Sequence, residues 1–464
     1  MEKVNIKKYV LHCALIMLTG FFLLMVNVFY YQVIAADELA ENPLNHRSSI
    51  SNIVRGSILD SEGRELAVSY EAGSRQYPYG AIAAPVTGYV GETIGSAGVE
   101  QSAGSDLSGQ SRQLASLGPI AQFFQQERGN DVRVTIDADA QETAYYALDG
   151  RKGAVVVLDA DTGAVIAMVS RPSFNPESIE DAWDELVQRE DSPLLNRATQ
   201  GLYPPGSIIK PLIADAALDE KVTDVNEAFQ CDGLLQFADG TSIRESHGAV
   251  HGSVRLEDAI IHSCNVTFGT LALRLKPAGL ESLFSRFGFN KELDGDITDA
   301  SAHLPGFSTL SEGDIAQVGI GQSSLLVTPL RMAMAAMAFG NGGVMMKPYL
   351  VDEVIAPSGL VISKSKPVKW LEVTSAQRAA IIDSYMEKVV TDGTGAAAYV
   401  PGIRVTGKTG TAENSAGADH GWFMGTAQLK NRKIAFGIIV ENSGGGGSAA
   451  APIARQIIAV LMSK

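Results

Sequence analysis

The sequence predicts a mixed α/β (α+β) chain: one membrane-spanning helix, a β-rich segment behind it, and a larger C-terminal domain of interleaved strands and helices. Three observations predict this. An apolar run from Val10 to Ala36 is broken only by His12, Asn27 and Gln32. Strand-like alternation and helical periodicity then succeed one another from Asp131 to the C-terminus. The chain has 464 residues, 45% of them hydrophobic, which is core enough for two or three domains.

The apolar run comes first. At about 1.5 Å per residue it reaches about 40 Å, enough to cross a hydrocarbon layer about 30 Å thick with some tilt. Lys3, Lys7 and Lys8 precede it and Asp37, Glu38 and Glu41 follow, which places the N-terminus inside and the bulk of the chain outside. Val33-Ile34-Ala35 before Ala36-Asp37 also suits a cleaved signal peptide, but the apolar core is long for that and favours a retained anchor. The expected division is a tail over 1–9, an anchor over 10–36, a pedestal over 37–130 and a C-terminal domain over 131–464.

Composition removes some functions. A net charge of -15 argues against a nucleic-acid partner, since a phosphate backbone needs a basic face. Cys13, Cys231 and Cys264 are too few for a disulfide framework and lack metal-ligand spacing; only a Cys231–Cys264 bridge is conceivable. His247 and His251 stand four apart, but flanking glycines and the lack of an acidic partner in sequence argue against a metal, so no metal and no cofactor is expected.

Within the pedestal, Arg55-Gly56-Ser57-Ile58-Leu59-Asp60 and Arg64-Glu65-Leu66-Ala67 read as a hairpin, and Gly88 to Gly129 as an irregular, Gly/Ser/Gln-rich stretch. A strand at 131–137, a helix at 138–148, and strands at 154–158 and 165–169 follow. Asp159, Asp161 and Gly163 between the last two hint at a calcium loop, but no closing glutamate follows, which leaves turn chemistry. The segment 231–251 reads as loop and 256–273 as helix. Thr328 caps a helix that Pro329 begins and Gly340 stops, and Ser375 to Val390 is amphipathic. Strands at 403–411, 421–427 and 434–440 come next. Gly444 to Gly447 reads as a linker to a last helix packed through Ile453, Ile457, Val460 and Leu461.

The chemistry gathers at Tyr203-Pro204-Pro205-Gly206-Ser207-Ile208-Ile209-Lys210-Pro211. Two prolines and a glycine cannot continue a helix, so Ser207 falls in the first turn of the one that follows, and Lys210 shares its face. A serine hydroxyl attacks only when a base takes its proton, and an amine does so only if its pKa falls from about 10.4 towards neutrality. Pro211 lacks the N–H that would bond the Ser207 carbonyl, which loosens this turn. An isolated SxxK is most often a capping serine beside a surface lysine. Two further motifs change that reading: Ser263-Cys264-Asn265, and Lys408-Thr409-Gly410 on a late strand.

In this order the three motifs resemble those of the penicillin-binding protein and serine β-lactamase superfamily. Leu195-Asn196-Arg197-Ala198, Gly319-Ile320-Gly321-Gln322, Thr328-Pro329-Leu330-Arg331-Met332-Ala333 and His420-Gly421-Trp422-Phe423 narrow the likeness to the membrane-anchored class B penicillin-binding proteins. That resemblance implies a transpeptidase domain whose central antiparallel sheet is flanked by helices. It implies Ser207 as nucleophile on the D-Ala-D-Ala end of a peptidoglycan stem peptide, Lys210 as base, Ser263 as proton relay and Asn265 as orienting amide. Lys408, Thr409, Gly410 and Thr411 would receive the substrate, and the Lys408 charge would disfavour protonation of Lys210. β-Lactams would be inhibitors. No glycosyltransferase segment is read ahead of the pedestal, so the implied partner is a SEDS-type glycan polymerase in the membrane.

One coincidence points elsewhere. Gly402 to Thr409 also fits GxxxxGK[ST], the phosphate-binding loop, which requires a helix starting at the lysine; the alternation of Ile403 and Val405 and the following Gly410, Asn414, Ser415 and Gly417 predict a strand instead. Within the superfamily a carboxypeptidase, a β-lactamase or a β-lactam sensor uses the same constellation.

Overall fold

The structure is a computed structural model that describes residues 6–31, 53–109, 127–238, 240–414 and 417–464. The expectations for Lys3, for 32–36, for the acidic flank at Asp37, Glu38 and Glu41, and for 110–126 lie outside the described residues. The apolar run forms the helix Ile6–Phe29, of which Val10–Phe29 is long and apolar enough to cross a membrane and is wholly unburied by the rest of the chain.

The centre of the molecule is a five-stranded antiparallel sheet, in the order Arg404–Ala412, His420–Gln428, Lys433–Val440, Gly153–Asp159, Val165–Arg171. Alternate side chains of its strands enter different cores, as a period of two requires. Val155, Val157 and Ile438 pack under Ala140, Ala144, Ile453 and Ile457 of the helices Ala138–Ala147 and Ala451–Met462. Val156, Leu158 and Ile439 face the opposite way, into the larger core with Met332 and Ala336. Those two sit on Pro329–Gly340, every residue of which is buried; Thr328 caps it through a hydrogen bond from the Arg331 N–H. Buried Arg331 pairs with buried Asp299 at 2.6 Å and donates to the carbonyls of Gly288 and Lys291, so a charge taken out of water is answered on every side.

A second sheet crosses the expected pedestal boundary. Its order is Val361–Lys364, Val351–Ile355, Asp131–Val134, Ile58–Leu59, Glu65–Ala67, with Ile58 paired in parallel to Val132. The predicted hairpin is therefore one edge of a sheet completed by strands from far along the chain.

Several elements differ from the sequence reading. The helical pattern over 256–273 falls on Leu256–Ile261 and the first part of Asn265–Arg286, separated at Ser263, whose φ is +59°; Asn265–Arg286 is itself kinked at Lys276, whose φ is +60°. The segment 231–251 is not loop alone: Ala228–Cys231 pairs with Gly252–Arg255, and Leu234–Gln236 with Ser242–Arg244. Gly340 ends its helix from within; Asn341 caps it, followed by Gly342 and Gly343 at positive φ. In the last helix Ile458, not Val460, is fully buried. The Asp159 turn is turn chemistry: its carboxylate accepts the N–H groups of Asp161 and Thr162 and the Thr162 hydroxyl.

Candidate active site

Ser207 lies in a 3-10 turn, Gly206–Ile209, that runs into the helix Lys210–Asp219. The cause is local. Proline at 211 has no N–H for the α-helical bond to the Ser207 carbonyl, and the Lys210 N–H takes that carbonyl instead, three residues on. The turn is pressed between two backbones. The Gly206 N–H donates to the Gly321 carbonyl at 2.8 Å, and a Cβ on Gly206, whose φ is +55°, would stand 2.5 Å from the carbonyl oxygen of Thr411. The Trp422 indole holds the Pro204 carbonyl at 2.9 Å. Behind it, Glu441 accepts from the Tyr203 hydroxyl and from Arg197, both at 2.7 Å.

The three motifs converge. Ser207, Ser263, Asn265, Thr409 and Thr411 line one groove of about 650 Å³, while Lys210 and Lys408 lie fully buried beneath its walls. The Lys210 amine meets the Asn265 Oδ1 at 2.7 Å, the Ser263 carbonyl at 2.6 Å and the Ser263 Oγ at 3.1 Å. As an ammonium it donates to all three; as a neutral amine it donates to two and keeps a lone pair for a hydroxyl proton. Asn265 is itself oriented by donating to the Arg244 carbonyl at 2.8 Å. Burial pushes the Lys210 pKa down to about 8, against the upward pull of Glu245 and Cys264.

Lys408 departs from the expectation in two ways. It does not line the groove: its amine lies one layer below and donates to the Thr409 carbonyl at 3.0 Å. The electrostatic burden also runs the other way. Burial and then the Lys210 charge hold Lys408 well below its ordinary pKa, whereas the fall at Lys210 comes from desolvation. Lys408-Thr409-Gly410-Thr411 lies on the strand Arg404–Ala412, with no helix starting at Lys408, which excludes the phosphate-loop geometry. This strand is an edge of the central sheet, and Thr409 and Thr411 on it line the groove. Gly410 is tight for a reason: a Cβ there would meet Ile208 at 2.9 Å and the Pro205 carbonyl at 3.0 Å.

Sequence reasoning missed part of the groove. Gly445, Gly446 and Gly447, in the connection from the strand Lys433–Val440 to the last helix, also form one wall, and a Cβ on Gly446 would stand 1.9 Å from the Trp422 carbonyl oxygen. Gln317, Gln322, Thr394, Glu413 and Asp419 also line the groove; Gln322 and Glu413 fall within the motif stretches Gly319–Gln322 and Lys408–Glu413, the other three in none. The expectation that His251 lacks an acidic partner needs correction: Glu245 Oε2 lies 3.9 Å from its Nδ1. Cys231 and Cys264 are free buried thiols, and their sulfurs, Nδ1 of His251 and a Glu245 carboxylate oxygen lie within 4.8 Å of one another. The four residues come from separate elements, which no spacing rule detects.

Comparison with known proteins matches the chain to one family over most of its length. Residues 153–459 match the family model described as penicillin binding protein transpeptidase domain, and residues 55–132 match penicillin binding protein A dimerisation domain. The chain is 31% identical over 490 residues to the peptidoglycan D,D-transpeptidase PbpA of Mycolicibacterium smegmatis, covering 95% of this chain and 96% of that one. It is 31% identical to the peptidoglycan D,D-transpeptidase MrdA of Acinetobacter baumannii over 81% of this chain and 64% of that one. Among solved structures, penicillin-binding protein A from M. tuberculosis as a ceftriaxone acyl-enzyme superposes with a TM-score of 0.82 at 29% identity, covering 89% of this chain and 99% of that one. The D,D-transpeptidase domain from Eggerthella lenta gives 0.80 at 31%, with the same coverage.

Proposed function

This chain belongs to the penicillin-binding protein transpeptidase family, and from that premise we propose that it is a serine D,D-transpeptidase cross-linking peptidoglycan, with Ser207 as its nucleophile. The observation that carries the assignment is the desolvated Lys210 amine, bonded to Ser263 and Asn265 beneath the groove that Ser207 enters. Lys210 in its neutral form takes the Ser207 proton as Oγ attacks the carbonyl carbon of the penultimate D-alanine. The Ser207 and Thr411 N–H groups receive the developing oxyanion. Ser263 passes the proton to the amine of the terminal D-alanine, which leaves as the amide bond breaks. An amine from a second stem peptide then attacks the ester, forms the cross-link and returns the proton to Ser207. Thr409 and Thr411 hold the substrate carboxylate, with Lys408 acting from beneath.

β-Lactams acylate the same hydroxyl. Fluorescent penicillin should label the wild-type chain and leave Ser207→Ala unlabelled, with release of the label slow; labelling of the alanine variant at another residue would remove the assignment, and rapid release would favour a hydrolase.

The N-terminal helix serves as a retained anchor with its lysine-bearing end in the cytoplasm, residues 37–130 as a pedestal and residues 131–464 as the extracytoplasmic enzyme. A SEDS-type glycan polymerase is the partner expected in the membrane. Support for the anchor is the unburied apolar surface of Val10–Phe29; protease protection of an N-terminal tag in sealed vesicles checks its orientation.

A further inference from the structure

One wall of the groove carries a cation that no acidic side chain answers. Arg244 ends the short strand Ser242–Arg244, which pairs with Leu234–Gln236. The period of two divides the side chains of this strand. Ile243 is 2% exposed, and a Cβ on Gly269 would come within 3.3 Å of it, so it packs on the helix Asn265–Arg286. Arg244 is exposed and lines the groove with Ser207, Ser263 and Asn265. Among the described residues no carboxylate forms an ion pair with its guanidinium. The neighbouring Glu245 turns inward, is 5% exposed and takes the Val266 N–H at 2.8 Å. Glu413 and Asp419 enter the groove from the ends of the strands Arg404–Ala412 and His420–Gln428, on the side of the central sheet.

We propose that Arg244 is a specificity residue of this groove: its guanidinium receives a carboxylate that the stem peptide carries ahead of its D-Ala-D-Ala end. The inference rests on the groove being the stem-peptide site. Lys210 and Lys408 are fully buried, so neither amine stands in the groove, and Arg244 is the one arginine or lysine among the described residues that line it. An anionic group of the bound peptide therefore has one fixed positive charge to meet within the groove.

The backbone of Arg244 is fixed beside the reacting centre. Its carbonyl accepts from the Asn265 Nδ2 at 2.8 Å, and the Asn265 Oδ1 takes the Lys210 amine at 2.7 Å. The guanidinium thus starts from a backbone tied to the amide that positions the catalytic amine, and not from a free loop. Its planar fork matches the two oxygens of a carboxylate and stays charged across the working pH range. An exposed ion pair on an open surface contributes little, but protein walls focus the field of a charge inside a groove, and a bound peptide displaces the water that would screen it.

The test uses the full-length chain in detergent and two penicillins that differ by one group. Benzylpenicillin has a neutral side chain; carbenicillin is the same molecule with a carboxylate on the carbon next to the side-chain carbonyl. Acylation rates with both are measured on the wild type, Arg244→Gln and Arg244→Lys. The ratio of carbenicillin to benzylpenicillin rates should fall on the order of ten-fold in Arg244→Gln and be partly restored in Arg244→Lys, which keeps the charge and loses the fork. In the wild type the same ratio should fall as ionic strength rises. On the wild type alone, a peptide ending in D-Ala-D-Ala with an upstream carboxylate should show a KM several-fold below that of its carboxamide counterpart, with kcat little changed. An unchanged ratio in Arg244→Gln, or equal KM values for the two peptides, would overturn the proposal. If benzylpenicillin labels Ser207 while either of these holds, only the role of Arg244 falls; if it does not label Ser207 at all, the transpeptidase reading falls with it.

Discussion

Lys210 shows how one buried side chain sets the chemistry of the groove. Its ordinary pKa is 10.5, and burial lowers it to about 8, so the neutral amine that can accept the Ser207 proton is a minority at pH 7. Above the folded pKa the unfolded chain still holds the proton that the folded one has released. The unfolded state then binds more protons, and stability rises with pH between about 8 and about 10.4, then levels. Acylation should follow the same ionisation with its own reading: the rate with penicillin climbs about ten-fold per pH unit below 8 and flattens above it. Stopped-flow labelling across pH 6 to 9.5 checks this, and a flat profile would show that Lys210 is not the base. Lys210→Arg keeps a cation that does not deprotonate, so acylation should fall by about 10² to 10⁴ at every pH. Ser263 separates function from stability. Its φ of +59° strains any residue except glycine, so Ser263→Gly should leave thermal stability unchanged or raise it by up to about 1 kcal/mol while acylation drops with loss of the hydroxyl.

At the scale of elements, the glycine run after the last strand gives the sharpest contrast. Gly444 has a φ of +81° with open space around it, whereas Gly446 would drive a Cβ to 1.9 Å from the Trp422 carbonyl and 2.5 Å from that of Gly410. Gly444→Ala should therefore cost only about 1 kcal/mol of conformational strain. Gly446→Ala must push the wall off the Arg404–Ala412 strand, so it should cost more than about 2 kcal/mol and slow acylation at least ten-fold. Thermal unfolding and fluorescent-penicillin rates on both variants check the pair; equal effects would mean that the wall is not packed as described. What the sequence revealed follows the same division. Tyr203-Pro204-Pro205-Gly206 disclosed the turn at Ser207 because proline and glycine impose conformation locally, and Ile434 to Val440 disclosed a strand because its pattern is local too. The break at Ser263 was hidden, since the apolar residues of Leu256–Ile261 continue in helical phase into Asn265–Arg286. Gly446 was hidden as well: its need for a missing side chain arises from Trp422 and Gly410, brought there by strand pairing.

For the whole molecule, the sheet shared between the first and last thirds of the described chain matters most. Ile58 pairs with Val132, Val132 with Val354, and Ile58, Leu66 and Ala67 are almost wholly buried in the same core that contains Ile208 and Ile209 beside Ser207. Arg55 and Arg75 add ion pairs of 2.6 Å to buried Glu100. A fragment starting at residue 131 loses the parallel partner of Asp131–Val134 and uncovers apolar side chains, leaving an unpaired strand edge in the middle of a sheet. It should be several kcal/mol less stable than a fragment starting at residue 53, because each fully buried aliphatic side chain uncovered costs about 1.5 to 3 kcal/mol. It should also aggregate where the longer fragment stays monodisperse. Differential scanning calorimetry with light scattering on the two fragments measures this. Equal melting temperatures would mean that residues 131–464 hold their core without the hairpin, and that the pairing of Ile58 with Val132 only docks one finished domain against another.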